Sequence, residues 1–95
     1  VITFDEGNLR RHSVTLQEAD QVLDARNLTT RVFELSPARN GNERLMFVGF
    51  TQEGRLLEIG IEIISDEDEH VFHGMDATKQ YRQGVADGQK KNKKD

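Results

Sequence analysis

Two hydrophobic rhythms divide this chain. From Val14 to Ala25 the apolar positions recur at helical spacing, with Leu16, Ala19, Val22 and Leu23 forming one stripe. Gln17, Glu18, Gln21 and Asp24 fall on the opposite, water-facing side. Thr15 and Glu18 make a T-x-x-E capping box, and Val14 and Ala19 occupy the positions of a hydrophobic staple. These signals predict a helix over 15–25. From Arg55 to Ile64 the rhythm changes to period two. Leu57, Ile59, Ile61 and Ile63 share one face, and Glu58 and Glu62 lie on the other, as in a half-buried antiparallel strand.

The remaining elements follow from shorter cues. Val1–Phe4 is β-prone and stops at Asp5, an N-cap for a short helix reaching about His12. Asp5 and Glu6 suit the positive end of that helix, and Arg10 and Arg11 the negative end. Leu28–Leu35 is rich in Thr, Val and Phe and predicts a strand. Ser36–Asn42 carries the single Pro and an Asn-Gly pair, hence a loop. Arg44–Phe50 is apolar on both faces, as a central strand would be, and Thr51–Gly54 is a turn. Ser65–Glu69 is an acidic turn leading into a strand at His70–Met75. Asp76 or Thr78 caps a final helix that Ala77, Tyr81 and Val85 line on one side. The predicted order is β-α-α-β-β-β-β-α. This is an α+β fold with an antiparallel sheet of four or five strands covered by helices. Residues 1–85 make one domain, and residues 86–95 read as a basic, disordered tail.

Composition and charge narrow the function. The chain has 95 residues and no cysteine, so a disulfide framework and a cysteine-rich metal site are excluded. No apolar run is long enough to span a membrane, and VITFDEGN has no signal-peptide pattern, so the expected location is the cytoplasm. The net charge is −4, but residues 90–95 hold four Lys and one Asp. The other 89 residues carry 9 basic and 16 acidic side chains, a net −7. An acidic body counts against nucleic-acid binding unless a local basic patch overrides it.

No phosphate loop or dinucleotide fingerprint is present. His12 and Ser13 are adjacent and do not make a triad. Asp66–Glu69 with His70 and His73 reads as a solvated turn and not a metal site, because residues 70 and 73 of a regular strand point to opposite faces. No metal and no cofactor is expected. The remaining set is basic: Arg10, Arg11, His12, Arg44 and His73. Metal-independent RNA cleavage needs a base for the 2′-hydroxyl, an acid for the leaving oxygen and cations for the phosphate. Histidine and arginine suit those tasks. The same residue types leave a plainer reading open. Arg10 and Arg11 can balance a helix end, Arg44 can pair with Glu43 or Glu58, and His12 can be a half-buried structural residue.

Asn8-Leu9-Arg10-Arg11-His12-Ser13-Val14-Thr15, followed by Gln17-Glu18-Ala19, resembles the N-x-x-K-H-G-V-[ST]-x-x-E-A signature of the BrnT-type toxins, ribonuclease toxins of bacterial type II toxin–antitoxin systems. Asn42–Gly49 resembles the family's E-R-x-x-x-I-G strand, and Gly54-Arg55-Leu56-Leu57 its next turn and strand. Val71–Thr78 falls where the family has its last strand, and the likeness covers about residues 2–85. It implies a RelE-like ribonuclease fold, RNA as substrate, and a DNA-binding antitoxin as partner in a toxin–antitoxin hetero-oligomer, while a small core and an edge strand separately permit self-association as a homodimer. By position it implies catalytic roles for Arg11, His12, Arg44 and His73. Three positions depart from the pattern. Ser13 replaces a glycine, Met75 an arginine, and Tyr81 a glutamate. The alternative is therefore a catalytically inactive relative that serves as a protein-binding or regulatory module.

Overall fold

A computed structural model describes residues 1–83. In chain order the elements are β1 (Ile2–Phe4), α1 (Glu6–Arg11), α2 (Leu16–Leu23), β2 (Arg31–Glu34), β3 (Arg44–Phe50), β4 (Leu56–Ile63) and β5 (Glu69–Asp76), followed by helical residues 79–83, here α3. The architecture is the expected α+β arrangement, β-α-α-β-β-β-β-α. Val85 and the basic stretch 86–95 lie outside the described residues.

The caps form as read. Asn8 N–H donates to Asp5 Oδ1 at 3.0 Å, which starts α1. Both halves of the Thr15–Glu18 capping box are present at α2. Val14 and Ala19 are both buried, so the staple holds as well. The expected helix and strand run long at their ends. Helix α2 stops at Leu23, with Asp24 extended at the C-cap, and Leu16 stays 40% exposed. Strand β2 starts only at Arg31. The Asn27 side chain turns the preceding segment by accepting from the Thr29 N–H and hydroxyl and donating to Gln21 O and Phe50 O. Leu28 is consequently pushed into solvent.

The sheet order is β1-β5-β4-β3-β2. Strands β2 to β5 form the antiparallel meander, but β1 pairs parallel to β5, so the sheet is mixed. One face carries Leu57, Ile59, Ile61 and Val71 and packs on Leu9, Ala19 and Val22 from α1 and α2 and on Val14 between them. Leu9, Val22, Leu57, Ile59 and Val71 are fully buried. Each such side chain contributes roughly 1.5–3 kcal/mol relative to exposure. The second face carries a smaller cluster, Met46, Val48 and Ala77, with Phe33, Leu56 and Tyr81 against it.

Two features of β5 decide where the chemistry falls. Its pairing with β4 is regular until Ile61↔Val71 and then resumes at Gly60↔His73, so Phe72 is an extra residue. This β-bulge reverses the parity of the strand. His70 opposes Glu62 and His73 opposes Gly60, and both therefore lie on the second face, correcting the expectation of opposite faces. Gly60 leaves room for the bulged residues there. A Cβ at that position would sit 2.8 Å from Phe72 Cζ and 3.3 Å from His73 Cβ. The second feature is the edge. Strand β1 covers only Glu69–Val71 of β5, and α1 closes the rest, with Gly74 N–H donating to Asn8 Oδ1 at 3.0 Å. The end of α1 thus comes round the edge of the sheet towards the second face.

Candidate active site

His12 is the C-cap of α1, and its backbone N–H is held by the carbonyls of Asn8 and Leu9. The next residue, Ser13, has φ +57°, a left-handed conformation that turns the chain into α2. This exit carries the His12 ring to within 6.2 Å of the His73 ring, centroid to centroid, at an interplanar angle of 63°. Both side chains are half-buried. Residues separated by most of the chain therefore meet because α1 caps the sheet edge and the bulge turns His73 outward.

His73 is itself held. Its Nε2 lies 2.8 Å from Glu58 Oε2, and the other Glu58 oxygen accepts the Thr78 N–H at 2.7 Å. Glu58 is only 4% exposed. Period-two alternation made it a solvent-facing residue. The start of the final helical segment covers it instead, so its carboxylate is a buried acceptor with two defined donors. With Nε2 committed to that carboxylate, Nδ1 is the open nitrogen of the His73 ring.

Arg44 lies on the same face, opposite Glu62. It pairs with neither Glu43 nor Glu58. Its Nε donates to Ser36 O at 2.8 Å, and its guanidinium sits 5.5 Å from the centre of the Phe72 ring. Phe72 in turn neighbours His73, ring centroids 6.4 Å apart. Arg44, Phe72, His73 and His12 thus form a row across the second face. Arg11 is exposed at the end of α1 beside His12 and has no hydrogen-bond partner among the described residues. Arg10 is likewise exposed. Three of the four expected residues, His12, His73 and Arg44, are therefore brought into one row, and among the described residues no contact joins Arg11 to it.

The row continues towards β1. His70 Nδ1 is 2.7 Å from Thr3 Oγ1, and Asn42 donates to Glu62 at 2.9 Å. These contacts satisfy both groups locally. No cluster of three metal-ligating side chains occurs among the described residues, and no described helix is long and apolar enough to cross a membrane.

Residue reading missed Glu58, Phe72 and Arg55. Glu58 and Arg55 were hidden because their roles depend on strand register and on contacts with distant segments. Arg55 Nε donates to Asp76 Oδ1 at 2.8 Å, and its Nη1 donates to Ser13 O at 2.7 Å and to Glu18 Oε1 at 3.2 Å. Its Nη2 donates to His12 O at 3.2 Å. The pKa of Glu18 is lowered first by its hydrogen bond from the Thr15 backbone and further by Arg55. That of Asp76 is lowered mainly by its hydrogen bond from Arg55. A separate shallow depression of about 480 Å³ near the β3–β4 turn is lined by residues including Gln21, Asn27, Phe50 and Gln52. Its charged pair, Asp24–Arg26, is exposed and local.

The chain matches no model of a known protein family, and a search of curated proteins likewise found no match.

Proposed function

We propose that the chain is a metal-independent endoribonuclease, the toxin of a type II toxin–antitoxin pair. The observation that carries this reading is the approach of His12 to His73, the latter held by a buried carboxylate. In-line cleavage places the attacking and leaving oxygens on opposite sides of phosphorus. Two proton-transfer groups a few ångströms apart suit that geometry, each within roughly 3 Å of its oxygen. His73 Nδ1 takes the proton of the 2′-hydroxyl as that oxygen bonds to phosphorus. His12, protonated, gives a proton to the 5′-oxygen as its bond to phosphorus breaks. The products are a 2′,3′-cyclic phosphate and a 5′-hydroxyl. Arg44 from the row and Arg11 from the end of α1 offset the phosphate charge.

Two positions bear on the resemblance to BrnT-type toxins. The family's glycine after the histidine falls at Ser13, where the backbone takes the left-handed conformation that glycine adopts without strain. The glutamate missing at Tyr81 has a counterpart in Glu58, a carboxylate delivered from β4. The partner on this reading is a DNA-binding antitoxin.

A second reading keeps the fold and drops the activity. Met75 stands opposite Glu58 where the family has an arginine, and Glu62 adds a second carboxylate to the face. A non-catalytic binding module accommodates both. Incubating the purified chain with RNA in EDTA separates the two. Cleavage that leaves cyclic phosphate ends, and that His12→Ala or His73→Ala removes, is the expected result. Intact RNA at high protein concentration would leave the binding module as the account.

A further inference from the structure

We propose that Arg55 is a positioning residue: it fixes His12 opposite His73 by tying the exit of α1 to β5. This inference rests on the reading of the two histidines as a working pair, although its geometry stands apart from any reaction.

Helix α1 has six residues, too few to be stable alone, and Asn8, accepting from Gly74 N–H at 3.0 Å, ties its middle to β5. Beyond it, the chain leaves through the left-handed Ser13, a conformation that persists only where surrounding structure holds it. Part of that hold is local, with Ser13 N–H donating to Arg10 O at 3.1 Å and Val14 N–H to Leu9 O at 2.9 Å, and Arg55 holds the carbonyls of His12 and Ser13. One guanidinium nitrogen donates to Ser13 O at 2.7 Å and another to His12 O at 3.2 Å. The guanidinium is anchored in turn at two carboxylates. Asp76 accepts from Nε at 2.8 Å, and Glu18 accepts from Nη1 at 3.2 Å. Asp76 belongs to β5, the strand that carries His73. A continuous link therefore runs from the His12 carbonyl through Arg55 to the His73 strand. It crosses from the β3–β4 turn, 43 residues away from His12 in sequence. Glu18 also completes the α2 capping box, so the same link fixes where α2 begins.

The planar fork of arginine is needed. Lysine offers three donors from one point and cannot reach two carbonyls and two carboxylates on different sides. The R55K chain should keep its sheet, because no core side chain changes, while His12 is released from its fixed approach.

The test is the response of His12 to His73, read by NMR from the His12 ring Cε1 proton. In the wild-type chain His73→Gln should move this resonance. In the R55K chain the same substitution should leave it unmoved, with the β3 and β4 amide resonances in place. On the cleavage reading, R55K should also lower kcat roughly 10²-fold with little change in KM, the signature of lost orientation. If R55K unfolds the sheet, Asp76→Asn, which leaves Arg55 present and weakens its tie to β5, should diminish the response in the same way. A His12 response of full size in R55K, or in a folded Asp76→Asn chain where R55K unfolds, overturns the proposal, as does a wild-type His12 resonance that His73→Gln leaves unmoved. If the wild-type chain does not cut RNA but its His12 response is present and disappears in R55K, the positioning role stands and the nuclease reading fails.

Discussion

Glu58→Gln isolates the chemistry of the second face with little change of shape. Glu58 makes two contacts: Oε1 accepts the Thr78 N–H at 2.7 Å, and Oε2 accepts His73 Nε2 at 2.8 Å. Glutamine keeps an oxygen for Thr78, whose N–H has no freedom to become an acceptor. The amide NH₂ then faces His73, and Nε2 must present a lone pair to it. The ring proton moves to Nδ1, the atom proposed to act as base. Removing the base in this way should slow RNA cleavage by roughly 10²–10⁴-fold. The stability cost is smaller. A charge-assisted hydrogen bond becomes a neutral one, a loss of about 1 kcal/mol. For a domain of this size that lowers Tm by roughly 4–8 °C. Cleavage of a fluorogenic RNA in EDTA reads the first effect and thermal melting the second. Nitrogen-15 shifts of the His73 ring report the change of tautomer. Wild-type cleavage by a folded E58Q chain would refute the assignment of His73 as base.

Three further outcomes follow from the same contacts. Ser13→Gly should stabilise the chain by roughly 0.5–1 kcal/mol, since glycine takes φ +57° without penalty, and urea titration will show a raised midpoint at unchanged m-value. Gly60→Ala should cost about 1–3 kcal/mol, because its methyl would meet Phe72 and His73 at the bulge; a melt matching wild type would contradict the packing described there. Acid should weaken the fold through Glu18 and Asp76. Both carboxyls titrate below the ordinary Glu and Asp range, so the stability they add is complete above the unfolded-state values and is lost as pH falls through the lower folded-state values. Denaturant melts from pH 5 downward should show this decline, and in Arg55→Ala it should lose the part due to Asp76 while the part due to Thr15 on Glu18 remains.

The legibility of the sequence differed between local and long-range features. Asp5, Thr15 and Glu18 announced two helix starts because a cap is a contact between residues three apart, and the pattern of 44–64 announced two neighbouring strands. What the pattern could not show was any consequence of register. Period-two counting put His70 and His73 on opposite faces, and one extra residue at Phe72 undid it. The same counting put Glu58 in water, whereas Thr78 and His73 enclose it. The parallel seat of β1 beside β5 depends on the chain's return after some 65 residues, and no local signal encodes it. Arg55 was unremarkable in sequence because all its partners are distant except through the fold. Of the site, His12, Arg44 and His73 were legible as residue types, and their convergence was not.

The most direct test of the histidine pair is a cycle of cleavage rates for the wild-type chain, His12→Ala, His73→Ala and the double variant. Acid and base serve one transition state, so each single change should lower the rate by roughly 10²–10⁴-fold, and the double should be little slower than the worse single. Single variants that cut RNA at the wild-type rate, or losses that multiply in the double as for independent sites, would contradict a shared role.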